Sequence, residues 1–162
     1  MKRTVLASVF AICVVLCAVG SAIASLGGPI VLDTMPDRVQ LSNFVFGNVW
    51  EGPDGPMVSV SVSLANVGDT SIVAVRLGIV LLGYFDDIIV DQTVSIIGPS
   101  LPGSTLRVSE DVPALNRRRP LTGFIWVDAV RLSDGRLITV RREDVERMMM
   151  EPRSRQHNAS AA

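Results

Sequence analysis

The sequence of 162 residues has few aromatic residues, two cysteines and a single histidine. Aromatic residues make up 5% of the chain, so a hydrophobic core must come from Val, Ile and Leu within the 48% apolar content. His157 lies in a polar C-terminal segment, whereas a Ser-His-Asp triad needs a histidine held on a rigid scaffold. No Cys/His set suits zinc. We therefore predict no catalytic residue, no metal site and no cofactor.

The chain also lacks an excess of charge of either sign. Lysine and arginine number 15 and Asp and Glu number 16, which gives a net charge of −1. A nearly neutral chain has no overall field that attracts nucleic acid or an anionic membrane surface. Lys2 is the only lysine. If the N-terminus is removed, Schiff-base chemistry is excluded, because that chemistry needs a lysine amine.

The first 24 residues have the order of a secretory signal. A basic start is followed by an apolar stretch from Val5 to Val19, then by small residues and the motif Ala22-Ile23-Ala24. This order predicts a cleaved signal helix over residues 1–24, and export to the periplasm or the extracellular space. The alternative is an uncleaved anchor, since an apolar run of about 20 residues is long enough to span a bilayer. Only that alternative places the protein at a membrane.

Both cysteines, Cys13 and Cys17, lie inside this predicted signal. Ile12 and Leu16 precede them, whereas a lipoprotein signal has a small residue before its cysteine, so we expect no lipidation. The exported protein would contain no cysteine. It must then fold by packing alone, without the disulfides that many small secreted domains use.

The mature chain begins with a Gly/Pro-rich segment, residues 25–37, which we interpret as a linker. A strand is predicted from Arg38, with a bulge near Ser42 and Asn43. Residues 51–56, EGPDGP, have the composition of a loop.

The clearest strand follows, in the stretch MVSVSVSLANVGDTSI (57–72). Its apolar residues alternate with serines, which predicts a half-buried antiparallel strand. The predicted inner residues are Val58, Val60, Val62 and Leu64. Residues 66–70, NVGDT, are predicted to form a turn, in which the Asn and Asp side chains bond the backbone.

Later segments continue the pattern. Residues 72–82 are apolar on both faces and predict a central strand, and residues 88–97 alternate with Ile88, Val90, Val94 and Ile96 inward. Residues 116–120 are a loop, and Asp134-Gly135 joins two apolar runs as a hairpin.

About seven short strands with regular turns predict an all-β fold, an immunoglobulin-like antiparallel β-sandwich over residues 38–142. A small β-barrel is the alternative. Residues 143–162 are predicted to form a short helical turn and a disordered tail.

Three segments, LANVGDTSIVAVRLGIVLLGYFDD, GPSLPGSTLRV and WVDAVRLSDGRL, occur in this order. In order and turn chemistry they resemble bacterial extracytoplasmic immunoglobulin-like domains of the FxLyD type, or a related uncharacterised group, over residues 57–140. The chain departs from that pattern at the end of the second strand. Residues Gly83–Asp87, GYFDD, stand where the family has a Tyr-Asp pair followed by glycine. The resemblance implies a binding or accessory module, and it carries over no catalytic residue.

Six residues are candidates for binding: Trp50, Tyr84, Phe85, Arg117, Arg118 and Arg119. The three aromatic residues suit sugar stacking if they are exposed, and simple packing if they are not. The three arginines suit an anion such as a phosphorylated lipid head or an acidic polysaccharide, or else form a solvated loop. Trp126 lies within a strand and is predicted to pack in the core.

Acidic residues raise two further possibilities. Asp86, Asp87 and Asp91 cluster beside a strand break, which suits either Ca²⁺ or protection of an exposed strand edge. Their spacing lacks the D-x-D-x-D-G pattern, so we favour edge protection. Asp128 either pairs with Arg76 on the central strand or is exposed, depending on which face of its strand is buried.

Together these features predict a non-enzymatic exported binding or accessory module that contacts a protein partner or an envelope component. The Met-rich segment 148–150 is expected to dock on that partner. The alternative is a module that binds carbohydrate or an anionic envelope polymer. The sequence leaves the oligomeric state open.

Overall fold

A computed structural model describes residues 27–150 of the chain. The predicted signal with both cysteines, and the tail with His157, lie outside the described residues. The elements are β1 (Pro29–Leu32), β2 (Val39–Gly52), β3 (Gly55–Asn66), β4 (Ile72–Leu82), β5 (Ile88–Ser100), β6 (Thr105–Pro113), β7 (Thr122–Leu132), β8 (Leu137–Thr139) and a C-terminal helix, α1, over 142–150.

The strands form two sheets, which confirms the predicted all-β sandwich and its short C-terminal helix. One sheet has the order β1-β7-β4-β5, with β8 also paired to β7, and the other has the order β2-β3-β6. All pairs are antiparallel except β1 with β7, which is parallel. The prediction of a linker over 25–37 is therefore wrong for β1. A four-residue strand among Gly and Pro has no periodicity to reveal it.

The β3 alternation behaves as predicted. Its four apolar residues, Val58, Val60, Val62 and Leu64, are buried between the sheets. Ser59 is exposed, and its hydroxyl donates a hydrogen bond of 2.6 Å to the Asp111 carboxylate on β6. One face of the β2-β3-β6 sheet is thus core and the other is polar, as expected for an antiparallel sheet with one solvated face.

β4 is buried on both faces because each face has its own cover. Val75, Leu77, Ile79 and Leu81 point into the core between the sheets. On the outer face, Val80 and Leu82 join a second apolar cluster with Phe124 and Trp126 of β7. The central position predicted for this strand is confirmed, since β4 lies between β7 and β5.

The second cluster is closed by β1 and α1. Leu32 from β1 and Val145 from α1 are buried in it, and Met148 and Met149 pack against it. The Met-rich segment therefore contacts the domain's own sheet at these two residues, rather than being left open for a partner as expected. Only Met150 of the three is strongly exposed.

The structure differs from the sequence prediction in the length of one turn and in the burial of one residue. The loop predicted over 51–56 is a tight turn of Pro53 and Asp54, because β2 and β3 continue to Gly52 and Gly55. Ile88 is exposed rather than buried. A register shift between β4 and β5 falls at Ile89, so that Ile89 and Val90 both enter the core. Alternation cannot reveal such a bulge.

The strand directions place three connections at one end of the sandwich. These are the β2–β3 turn, the β4–β5 loop (83–87) and the β6–β7 segment (114–121), and we call them the loop end. The opposite end carries the connections at 67–71, 101–104 and 133–136.

Candidate functional site

The loop end brings together all six residues that the sequence singled out as binding candidates. Trp50 lies near the end of β2, two residues before Gly52. Tyr84 and Phe85 belong to the β4–β5 loop, and the three consecutive arginines 117–119 belong to the β6–β7 segment. Loops at one end of a sandwich, held by a rigid scaffold, are a common location for recognition surfaces.

Backbone hydrogen bonds tie the loops of this end to the strands. Leu115 N donates to Ile89 O at 2.7 Å, and Leu121 N donates to Leu82 O at 2.8 Å. Within the β4–β5 loop, Gly83 N donates to Asp87 O at 2.9 Å. Asp86 has φ 57°, a left-handed conformation that turns the chain tightly. The side chains of this end therefore project from a defined backbone.

Two of the three arginines are held by ion pairs. Arg117 Nη2 lies 3.1 Å from Glu51 Oε1, and Arg118 Nη1 lies 3.2 Å from Asp87 Oδ2. Both carboxylate oxygens of Asp87 are inaccessible and accept no well-aligned hydrogen bond. The Arg118 guanidinium is thus the compensating charge, and this contact links the β4–β5 loop to the β6–β7 segment.

The predicted acidic cluster is divided between different partners. Asp87 faces Arg118, while Asp91 lies 3.6 Å from Arg142 of α1. Over residues 27–150, no group of three or more Asp, Glu, His or Cys side chains is placed to hold a metal ion. The described acidic residues therefore do not form a Ca²⁺ site.

Exposed apolar side chains form the outer surface of the loop end. Phe85 is 88% exposed, Tyr84 67% and Leu115 65%. Ile88, the first residue of β5, is also exposed. We call these four residues the apolar crest. Trp50 is also partly exposed. An aromatic side chain that remains this exposed on a tied loop adds nothing to the core of its own domain.

A groove of about 430 Å³ runs along the flank of the loop end. It is lined by Gly28, Pro29, Val45, Phe46, Gly47, Asn48, Tyr84, Arg119, Pro120 and Leu121. Two predicted candidates, Tyr84 and Arg119, therefore share one concave surface. No ion pair joins Arg119 to a carboxylate within the described part of the chain.

The groove wall from β2 is an irregular sheet edge. The β2–β3 pairing passes from Phe46 and Val60 directly to Val49 and Val58, so that Gly47 and Asn48 oppose a single residue of β3. A second shift occurs after Ser42, where Asn43 has φ 52°. This confirms the bulge predicted near Ser42 and Asn43. Bulges of this kind protect an edge strand from pairing with another chain.

Asp128 lies at a further bulge and forms an ion pair with Arg76. β7 skips Asp128 in its pairing with β4, because Arg76 pairs with Ala129 while Leu77 pairs with Val127. The Asp128 carboxylate accepts a hydrogen bond of 2.5 Å from Arg76 Nε on the outer face of the sheet. The sequence leaves two alternatives, an Asp128 that pairs with Arg76 and an Asp128 that is merely exposed. The structure shows the pair on a partly exposed face, whereas Ile125 and Val127 of the same strand face the core between the sheets.

Carboxylates with lowered pKa lie at the opposite end. The Thr70 hydroxyl, followed by the Asp69 backbone N–H and Arg38, lowers the pKa of Asp69. The backbone N–H of Arg136 is the main reason that the pKa of Asp134 is lowered. Both carboxylates accept hydrogen bonds within turns, as predicted for the NVGDT turn. These shifts therefore reflect turn geometry.

No protein-family model and no curated protein matches this chain. Two solved structures are similar in backbone. The structural-genomics target SoR45 has a TM-score of 0.43 and 10% identity, covering 64% of this chain and 79% of that chain. A candidate ApaA protein from Bordetella pertussis has a TM-score of 0.34 and 13% identity, covering 63% and 85%. At these scores neither bears on function. Within residues 27–150, no helix has the length and apolarity to cross a bilayer.

The sequence did not reveal three residues of this site. Alternation predicts Ile88 in the core, because the pattern gives no sign of the bulge at Ile89. Leu115 is an isolated apolar residue before a polar loop, so no periodicity marks it. Asn48 is unremarkable in sequence, and only the pairing of β2 places it beside Tyr84 and Arg119 in the groove.

Proposed function

We propose that this chain is a non-enzymatic, exported binding module that recognises a protein partner in the cell envelope through its loop end. The observation that carries the proposal is the apolar crest, with Phe85 88% exposed at the tip of a hydrogen-bonded loop. Aromatic residues and arginine are enriched where proteins bind one another, and they supply most of the binding free energy.

The surroundings of the crest also suit a protein interface. Arg117 and Arg118 are held in ion pairs at the rim, so their charges are already compensated when the apolar centre loses water. The free energy needed to remove water from paired charged side chains is smaller than that for unpaired ones. The tied loop backbone keeps the entropy loss on binding small.

Export is part of the proposal and rests on the N-terminal sequence. The basic start, apolar stretch and Ala22-Ile23-Ala24 motif of residues 1–24 support a cleaved signal. The FxLyD-type resemblance in the order of turn motifs agrees with an extracytoplasmic accessory role. Fractionation of the producing cells, with intact-mass measurement of the purified protein, tests both export and cleavage after Ala24.

Affinity capture tests the proposed partner contact. The full chain with a C-terminal tag is cross-linked in the producing cells, and captured proteins are quantified for the wild type, Phe85→Ser and Ile97→Ser. Ile97 is a matched control, since it is 87% exposed but lies on β5 away from the loop end. We expect Phe85→Ser to reduce recovery of a specific envelope protein by about tenfold or more, as at interface hot spots. Equal recovery with both variants would contradict the proposal.

A further inference from the structure

The groove on the flank of the loop end contains an arginine, Arg119, that has no ion-pair partner among residues 27–150. Arg117 and Arg118 face Glu51 and Asp87, but no carboxylate within residues 27–150 lies at ion-pair distance from Arg119. Arg119 is exposed and lines the groove. A guanidinium offers a planar set of donors that matches a carboxylate or a phosphate in a bidentate geometry.

The same groove offers surfaces for a sugar ring. Tyr84 is 67% exposed and lines the wall formed by the β4–β5 loop. Its ring combines an apolar face with a polar hydroxyl, which suits the mixed surface of a saccharide. Asn48, which is exposed on β2, presents an amide that both donates and accepts hydrogen bonds, as sugar hydroxyls require.

The shape of the groove favours a compact ligand over an added peptide strand. Its volume of about 430 Å³ is typical of small-molecule sites. A peptide that extends a sheet needs a continuous row of free backbone groups along the edge. β2 interrupts this row on both sides of Val45 and Phe46, where the pairing with β3 shifts register.

From these three observations we propose that the groove binds an anionic saccharide, with the carboxylate or phosphate of the sugar on Arg119 and the ring against Tyr84. The groove shares Tyr84 with the apolar crest, whereas Phe85, Ile88 and Leu115 do not line it. Because substitutions of Phe85 test the protein partner and substitutions of Arg119 test the saccharide, the two proposals can fail independently.

Calorimetric titration of the full chain, purified as the producing cells process it, tests this site. The probes are trigalacturonate, glucose 1-phosphate, maltotriose as a neutral sugar, and inorganic phosphate. We expect one or both anionic sugars to bind at least about tenfold more tightly than maltotriose and inorganic phosphate, because charge-assisted hydrogen bonds and ring contact act together. Preference for trigalacturonate identifies a carboxylate ligand, and preference for glucose 1-phosphate identifies a phosphate ligand.

Arg119→Gln and Arg107→Gln form a matched pair, because each removes one exposed arginine that has no ion-pair partner among residues 27–150, and Arg107 lies on β6 outside the groove lining. We expect Arg119→Gln to weaken binding of the anionic sugar by about tenfold or more, while Arg107→Gln changes it by less than about twofold. Unchanged melting temperatures verify that both variants fold. The proposal would be overturned if the two variants lost affinity equally, or if neither anionic sugar bound at millimolar concentration. It would also be overturned if maltotriose or inorganic phosphate bound as tightly as the anionic sugars.

Discussion

Asn66 occupies the junction of two turns at the end of the sandwich opposite the loop end. It is 1% exposed, and its Nδ2 donates to Thr70 O at 3.0 Å and to Ser100 O at 2.8 Å. Its Oδ1 accepts from Gly68 N at 3.1 Å. A buried amide with each group bonded stabilises the fold, because its loss leaves backbone carbonyls without partners.

The sequence predicts the turn role of this residue but not its full set of contacts. The bond from Gly68 N is local and follows from the chemistry of Asn in turns. The bond to Ser100 joins residues 34 positions apart, and it exists only because the β5–β6 turn packs beside the NVGDT turn. Sequence patterns describe local geometry, so a contact of this kind is found only in the folded structure.

Replacing Asn66 tests its structural importance. We expect Asn66→Ala to lower the free energy of unfolding by about 2–3 kcal/mol, since the buried Ser100 carbonyl and the partly buried Thr70 carbonyl lose their donor. Urea unfolding monitored by circular dichroism measures this change. Asp69→Ala is the control. Its side chain is largely exposed and pairs with Arg38, so we expect a loss below about 1 kcal/mol. A larger loss for Asp69→Ala than for Asn66→Ala would contradict the assignment.

At the scale of elements, β4 and β7 carry both hydrophobic clusters. Trp126 of β7 pairs in register with Gly78 of β4, and a Cβ at position 78 would overlap its indole ring. The apolar run in β4 predicts a strand buried on both faces. Periodicity does not predict which elements pack against the outer face of β4. One of them, β1, is only four residues long and pairs with β7, which is distant in sequence.

Gly78→Ala tests the fit between these two strands. We expect it to lower the free energy of unfolding by about 2–4 kcal/mol, because the added methyl group must displace Trp126 or separate the strands. The matched control is Gly47→Ala, since a Cβ there meets only Ser59 O at an ordinary 3.7 Å. Thermal and urea unfolding of both variants provide the comparison. A Gly78→Ala protein as stable as the Gly47→Ala protein would show that the outer cluster is loosely packed.

At the scale of the whole molecule, the fold gathers separate sequence features onto one surface. The aromatic pair at 84–85 and the arginines at 117–119 are more than 30 positions apart in sequence, yet both lie at the loop end. The sequence indicates each group by residue type alone. Their meeting depends on strand direction and pairing, and the groove additionally depends on the bulge at Gly47 and Asn48.

Site-specific photo-crosslinking tests directly whether the loop end is the surface that contacts the proposed partner. A photoreactive phenylalanine analogue is placed at Phe85 in one protein and at Ile97 in another, two positions that are 88% and 87% exposed. Both proteins are expressed in the producing cells and irradiated. We predict a discrete cross-linked envelope protein from position 85 and none from position 97. Cross-linking from position 97 alone, or equally from both positions, would contradict this prediction.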